Sequence, residues 1–461
     1  MKGPILSYEA LRTLVFSNRA RHLPLTMIEN QSASHGSINR GSIEAREVQL
    51  DIVGGFALNA SIVSIMFCSQ IAVNIGEFPV SVDFIGYLLF AAYLPLSGFA
   101  TISTKTFLLL LIAAILACFR MLSPNSLTSW SSLSLLFVLY APFCLRLQSR
   151  SGIEEVGKVI QAKFILVVCI IAVIADVQLV LVNLFRGTTY FSNIALVLPE
   201  EIRGAGNYAF VREGGGIIKA NGFFLRESST LSVMTAIALM LEFFSRRRRL
   251  VLCILIAGLL ASVSGSGLLI VLFGFLLPTS VRQLPLFVLG LLFVFLVLIY
   301  GSEIPVLNLW LDRTSEFETP GSSGYARFVA PFQMLERNLG DGASTWLGAG
   351  AGTYLRTVAV LQLKYEINDP TWAKLIYEYG ISGFFFFSII FILRLYSSAL
   401  RREVCAALFY AWMSAGSLLK PDFVFMTWIL TLVSLPQNDR KTSVKRQIPV
   451  PDPSRAPYTA S

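Results

Sequence analysis

Charge is what this chain has least of. Only 14% of its 461 residues are Asp, Glu, Lys or Arg, where a soluble domain carries nearer a quarter. Histidine is scarcer still: the chain has two, His22 and His35, both in the polar N-terminal segment, so histidine acid–base chemistry is excluded from everything that follows. The cysteines (Cys68, Cys118, Cys144, Cys169, Cys253, Cys405) lie in or beside apolar runs and show no Cys-x-x-Cys spacing. No disulfide framework or metal site is expected of them, only packing. Residues 1–51 contain no apolar core of the kind a cleavable leader needs, so the first apolar run is expected to act as an uncleaved signal anchor.

What fills the chain instead is apolar: 55% of residues, with a mean hydropathy of +0.67. The apolar residues come in blocks rather than stripes. Leu250 to Val263 is Leu, Ile, Val and Ala broken only by Cys253, Gly258 and Ser262. Lipid offers no partner to an exposed backbone group, so such blocks must close their own hydrogen bonds as helices. The expected fold is an all-α polytopic integral membrane protein with about twelve spans, or ten to twelve, each near ~20 residues. The expected spans are 52–75, 83–100, 106–121, 130–146, 163–185, 229–244, 250–264, 266–280, 284–301, 372–393, 403–418 and 422–436. The pair around Ser264-Gly265-Ser266-Gly267 reads equally as one broken helix or a re-entrant hairpin.

Orientation follows from Lys and Arg in short loops. Arg146, Arg150, Lys158 and Lys163 flank one turn, Arg246–Arg249 fill a second, and Arg394, Arg401 and Arg402 mark a third. The N-terminal segment and the basic tail (Arg440, Lys441, Lys445, Arg446) add to the same side. That places both termini in the cytoplasm, and it reads the net charge of +9 as a topology signal rather than a nucleic-acid surface. The organisation expected is a cytoplasmic segment 1–51, a membrane domain 52–436, and a disordered cytoplasmic tail 437–461. Two long loops, 186–228 and 302–371, then lie outside the membrane.

Loops of that length in a compact protein are functional or disordered, and these are rich in aromatics, Gly and paired charges. They carry Arg186, Arg203, Arg212, Lys219 and Arg226, then Arg313, Arg327, Arg337, Arg356 and Lys364. Long loops translocate regardless of charge, and acids such as Glu200, Glu201 and Glu213 can pair with them. The alternative is an anionic ligand, because guanidinium forks match phosphate oxygens. Arg203, Arg212, Arg313 and Arg356 are the candidates for binding it. Arg226-Glu227 supplies one cation and one carboxylate where the sixth span begins; equally, Glu227 with Ser228, Ser229 and Thr230 suits a helix start. Lys374 and Glu378 stand four apart on one helix face, charged within a span, yet able to neutralise each other. Asp176, in mid-span, binds an ion or hydrogen-bonds a neighbouring helix. The Gly348-x-Gly350-x-Gly352 stretch lacks the βαβ setting of a nucleotide site; a tight turn, approaching a sugar or phosphate at Gly350, fits better.

Several of these segments together resemble a known family. They are Arg327-Phe-Val-Ala-Pro-Phe, Trp346-Leu-Gly-Ala-Gly-Ala-Gly-Thr-Tyr354, and Asn368-Asp-Pro-Thr-Trp-Ala-Lys-Leu-Ile-Tyr-Glu378-Tyr-Gly-Ile-Ser-Gly383, with Asn221-Gly-Phe-Phe-Leu-Arg-Glu227-Ser-Ser before them. The combination resembles the O-antigen polymerase and ligase superfamily over about residues 200 to 385. The resemblance implies a bacterial inner-membrane glycosyltransferase acting on polyprenyl-diphosphate-linked sugars, with a chain-length regulator as partner and neither cofactor nor nucleic acid. Ligase-like members carry a His where the second loop re-enters the membrane. Here that place is Asn368-Asp369-Pro370, which favours the polymerase branch over a ligase; a secondary transporter or flippase is the reading from another class. For such a reaction the expected catalytic groups are Arg226, Glu227, Arg327, Asp369, Lys374 and Glu378. Cations stabilise the departing diphosphate, and a carboxylate takes the acceptor proton.

Overall fold

A computed structural model describes residues 52–75, 78–123, 125–147, 153–184, 191, 193–203, 219–277, 283–300, 317–336, 342–361, 367–416 and 418–433. All lie within the larger of the chain's two compact units, Arg46–Ser461. Every expected span overlaps a helix there, in several cases over only part of its length. These are α1 (Ile52–Phe67), α2 (Val82–Leu96), α3 (Thr104–Met121), α4 (Trp130–Tyr140), α5 (Ile153–Leu184), α6 (Ser228–Phe244), α7 (Arg249–Ala261), α8 (Gly265–Leu276) and α9 (Leu284–Tyr300). The second long loop then forms the short helices α10 (Ser323–Phe328), α11 (Ala330–Glu336), α12 (Gly342–Leu347) and α13 (Thr353–Leu361). The chain finishes with α14 (Thr371–Ser397), α15 (Arg402–Ser414) and α16 (Pro421–Leu430).

Among the described residues, α3, α5 and α14 are long and apolar enough to cross a membrane unaided. The others are shorter than the expectation of full-length spans. At 1.5 Å per residue the thirteen residues of α7 reach about 20 Å, against a hydrocarbon core of about 30 Å. The doubtful pair resolves into two separate helices: α7 and α8 reverse at Ser262–Ser264, through a left-handed Val263 (φ 44°), and both pack against α6. The fold is not purely helical either. Antiparallel β1 (Ala72–Ile75) and β2 (Phe78–Ser81) close the turn between α1 and α2, and antiparallel β3 (Ala100–Ile102) and β4 (Leu145–Leu147) join the α2–α3 connection to the segment after α4.

The core is aromatic, and several of its polar tips find partners as burial in an apolar medium demands, although the buried Tyr379 hydroxyl finds none among the described residues. Trp412 Nε1 donates to the Tyr140 hydroxyl (2.7 Å), Trp428 Nε1 to Pro142 O (2.7 Å), and the Tyr87 hydroxyl to Leu139 O (2.6 Å). Trp412 stacks on Phe391 with centroids 4.3 Å apart.

Turns cluster at two opposite ends. At one end β3–β4 receives the Arg394 guanidinium on Leu145 O (2.6 Å), Arg248 pairs with Glu242 (2.9 Å), and Arg401 covers the Phe244 ring. Arg146, Lys158 and Arg246–Arg249 belong to this end, where the loop cations read from the sequence gather. At the other end Ile71 bridges Arg203, Ala220 N donates to Ala261 O (3.3 Å), and Asn368 N to Ala326 O (2.9 Å). Described parts of both long loops are fastened by these bonds.

Candidate active site

The segment that follows α1 organises this second end. Gln70 Nε2 donates to Phe224 O (3.0 Å) and Leu225 O (2.9 Å), and the Arg226 guanidinium donates through Nε and Nη2 to Ser69 O (3.0 and 2.8 Å). From the other flank, buried Gln178 of α5 presents Oε1 to the amides of Asn221 (3.0 Å), Gly222 (2.9 Å) and Phe223 (3.2 Å). That fixes a tight turn in which both Gly222 (φ 72°) and Phe223 (φ 67°) are left-handed. A left-handed aromatic residue is strained and persists only where its surroundings over-determine it. The turn delivers Arg226 and Glu227 to the start of α6.

Glu227 is the N-cap residue of α6, but its side chain makes no capping bond. Instead Oε2 accepts from the Ser229 hydroxyl (2.7 Å). Its carboxyl is held below the usual carboxylate range, chiefly by Lys420, with Ser229, Arg327 and Arg226 adding to the effect against the cost of burial. Lys420 precedes α16 and was not among the residues singled out from sequence. Arg327 ends α10 and donates through Nη1 to the Ser266 hydroxyl at the α7–α8 reversal. Thus Arg226, Arg327 and Lys420, from three distant parts of the chain, surround one carboxylate.

Two of these groups, Arg327 and Lys420, border an open cavity, with Ser229, Thr230, Ser266 and Asp422 as the rest of its polar lining and Val233, Met234, Ala415 and Phe423 as its apolar one. One wall is cationic and the rest largely apolar, which suits an anionic group carried on a lipid tail. Asp422 is the second residue missed from sequence. In retrospect a signal was there: both flank Pro421 in the short turn between the last two expected spans, on the same side as Arg226.

Asp369, Lys374 and Glu378 form a neighbouring cluster with a different pairing from the one their spacing suggests. Lys374 (4% exposed) makes its ion pair with Asp369 (2.7 Å), not with Glu378. Glu378 (1% exposed) turns to the start of α13, where Oε1 accepts from Tyr354 N (3.2 Å) and Oε2 meets no donor among the described residues. Asp369 also lies against Gly416, four residues before Lys420, so the cluster adjoins the cavity.

The glycine stretch braces α14. Gly348, Gly350 and Gly352 are all left-handed, and α14 breaks at a left-handed Gly380. The break frees two carbonyls, which the stretch satisfies: Ala349 N donates to Tyr377 O (2.7 Å) and Gly350 N to Glu378 O (2.9 Å). Gly350 therefore contacts protein backbone, not an open ligand space. Arg356 is exposed and donates through Nη1 to Leu127 O (3.0 Å) and Thr128 O (2.8 Å), tying α13 to the turn before α4. Arg203 donates through Nη2 to Leu198 O (2.9 Å) within its own loop. Arg212 and Arg313 lie outside the described residues, as do 1–51 and the tail from 434. Asp176 sits half-buried in α5, away from these clusters.

Over residues 58–435 the chain matches the family model described as WcaD colanic acid polymerase. No curated protein matches it. The matched stretch contains both long loops and every helix that contributes to the cavity.

Proposed function

The chain belongs to the WcaD colanic acid polymerase family, and from that premise we propose that the cavity bordered by Arg327 and Lys420 is where it joins lipid-linked glycan repeat units. A membrane-embedded polysaccharide polymerase of the glycosyltransferase type takes an oligosaccharide-linked donor. The observation that carries the reading is the convergence of Arg327 and Lys420 beside Val233, Met234, Ala415 and Phe423 in one open cavity.

The chemistry needs little else. An acceptor hydroxyl attacks the anomeric carbon of a glycan held on polyprenyl diphosphate, and the bond to the diphosphate oxygen breaks. Charge grows on the departing diphosphate, so fixed cations a few ångströms away lower the barrier without reorganising. Arg327 and Lys420 hold that diphosphate, with no metal required, and Arg226 fixes the turn that presents Glu227. Asp369 and Lys374 support the reentry of α14 beside them. The site faces the extracytoplasmic side of the bacterial inner membrane, since the opposite end carries the short-loop cations that the positive-inside rule assigns to the cytoplasm. Both termini are then cytoplasmic, and a chain-length regulator is the expected protein partner.

A deletion strain tests this. Loss of a polymerase leaves single repeat units exported but not extended, so the glycan ladder on a gel collapses to one unit and returns with the wild-type gene. Loss of a ligase would instead leave long polymer on the lipid carrier, and loss of a solute transporter would leave the ladder intact. A full-length ladder in a deletion strain without a second polymerase refutes the reading.

A further inference from the structure

The proposed transfer leaves one proton without a destination: the acceptor hydroxyl must lose it as its oxygen bonds to the anomeric carbon. Glu227 is the carboxylate the sequence puts forward, yet it is ringed by Arg226, Arg327 and Lys420, and a carboxylate stabilised as the anion is a poor proton acceptor. Asp422 is differently placed. It lines the cavity with Arg327 and Lys420, and is only 5% exposed. One oxygen, Oδ1, accepts from Phe423 N (2.7 Å) in the first turn of α16. Its other oxygen accepts no hydrogen bond among the described residues, and its neighbour Asp83, at the start of α2, is a second carboxylate. Asp83 is likewise anchored, through its Oδ1, to Phe84 N (2.8 Å).

We propose that Asp422 is a catalytic residue, the general base of glycan transfer, its unbonded oxygen receiving the proton of the acceptor hydroxyl. The step balances. The acceptor oxygen forms a bond to the anomeric carbon, the bond from that carbon to the diphosphate oxygen breaks with its electron pair, and the proton passes to the Asp422 carboxylate. Polyprenyl diphosphate leaves as the anion held by Arg327 and Lys420. The N–H of Phe423 holds the side chain in place through Oδ1 and leaves the other oxygen for the acceptor proton. This assignment rests on the polymerase reading above and adds the acceptor's half of the site to it.

The test uses the full-length protein in membranes, with lipid-linked repeat unit extracted from the deletion strain as both donor and acceptor. Asp422→Asn preserves shape and the contact to Phe423 N, so the protein accumulates normally. Its kcat is expected to fall at least ~100-fold, the low end of what a general base contributes, with KM within about threefold of wild type. Asp422→Glu restores part of the rate. Asp83→Asn, which removes only a neighbour, keeps most of the activity. A normal rate in Asp422→Asn overturns the assignment, as does a loss carried wholly by KM or matched by lost protein. Should the Asp422→Asn protein misfold, Asp422→Glu decides alone: a folded protein with wild-type rate or with none overturns the assignment. If the wild-type protein itself extends no repeat unit while the deletion strain keeps its ladder, it is the polymerase reading that fails, not the choice of base.

Discussion

The amide of Gly350 donates to the carbonyl of Glu378 across 2.9 Å, at the point where α14 breaks. The two motifs are parts of one device. Gly380 has φ 68° and ψ −175°, a region open essentially to glycine alone. A Cβ there would stand 2.2 Å from Trp346 O, and one at Gly348 would stand 2.3 Å from the Glu378 carbonyl carbon. Backbone on both sides leaves neither room to shift. Gly380→Ala and Gly348→Ala are therefore expected to lose most of the protein from membranes, by immunoblot. Gly55→Ala, in α1 with nothing within 4 Å of its Cβ, should accumulate as wild type. Normal levels of Gly380→Ala would show that the break in α14 is dispensable.

A second expectation concerns Lys374. Its ammonium is buried and its ion pair is made by Asp369 at 2.7 Å, so removing the acid strands the cation. Breaking a buried pair from one side costs about 3–5 kcal/mol, whereas replacing both partners by apolar groups is often near neutral. Asp369→Ala should lower the unfolding temperature in detergent by several degrees, and Lys374→Met introduced with it should recover most of the loss. Simple additivity of the two losses would mean the pair contributes nothing as a pair.

The sign of the pH effect at Glu227 follows from its surroundings. The folded protein holds this carboxyl below its ordinary value, first through Lys420. A depressed value contributes stability that is fully present above the unfolded-state pKa and is lost as pH falls through the folded one. Glu227→Gln should thus lower the unfolding temperature at neutral pH by roughly a few degrees. The gap to wild type should close only in acid, below the usual carboxylate range. A gap that closes near neutrality would mean that Glu227 is not held as a permanent anion.

The helices were legible because lipid permits only one solution for a long apolar block, and each block from Ile52 to Leu430 became a helix. Lengths were less legible: α7 and α8 are short because both lie on α6, and neighbouring helices rather than lipid settle where they end. The loop residues were legible as chemistry but not as geometry. Arg226, Glu227 and Arg327 do converge, and Lys374 pairs with Asp369, just ahead of the N-cap Pro370, an acid outside the helix that a four-residue helical spacing does not encode. Lys420 and Asp422 escaped notice because a three-residue turn offers no pattern. Only the approach of α16 to α2 and α6 makes them part of a site.

The last prediction separates two arginines that the sequence treats alike. Arg226 donates twice to Ser69 O, so its guanidinium joins the segment after α1 to the start of α6. Arg327 lines the cavity, and one of its bonds runs to Ser266 at the α7–α8 reversal. If both arginines act on the diphosphate, alanine at either position abolishes polymer equally, with protein levels near normal. The bonding pattern argues instead for a division. Arg226→Ala should lower the amount of protein in membranes as well as polymer, and Arg226→Lys should repair neither fully, because a point charge cannot reproduce a fork on one carbonyl. Arg327→Ala should leave protein abundance within about twofold of wild type and remove the ladder, a loss of roughly 10²-fold or more in rate if the guanidinium meets charge developing in the transition state. Arg327→Lys keeps a charge in the cavity and should retain part of the activity. Immunoblots beside glycan gels from the same complemented deletion strain read both quantities at once. Equal loss of protein in all of these variants would make both arginines braces of the loop fold and would leave Lys420 as the cation to test at the diphosphate.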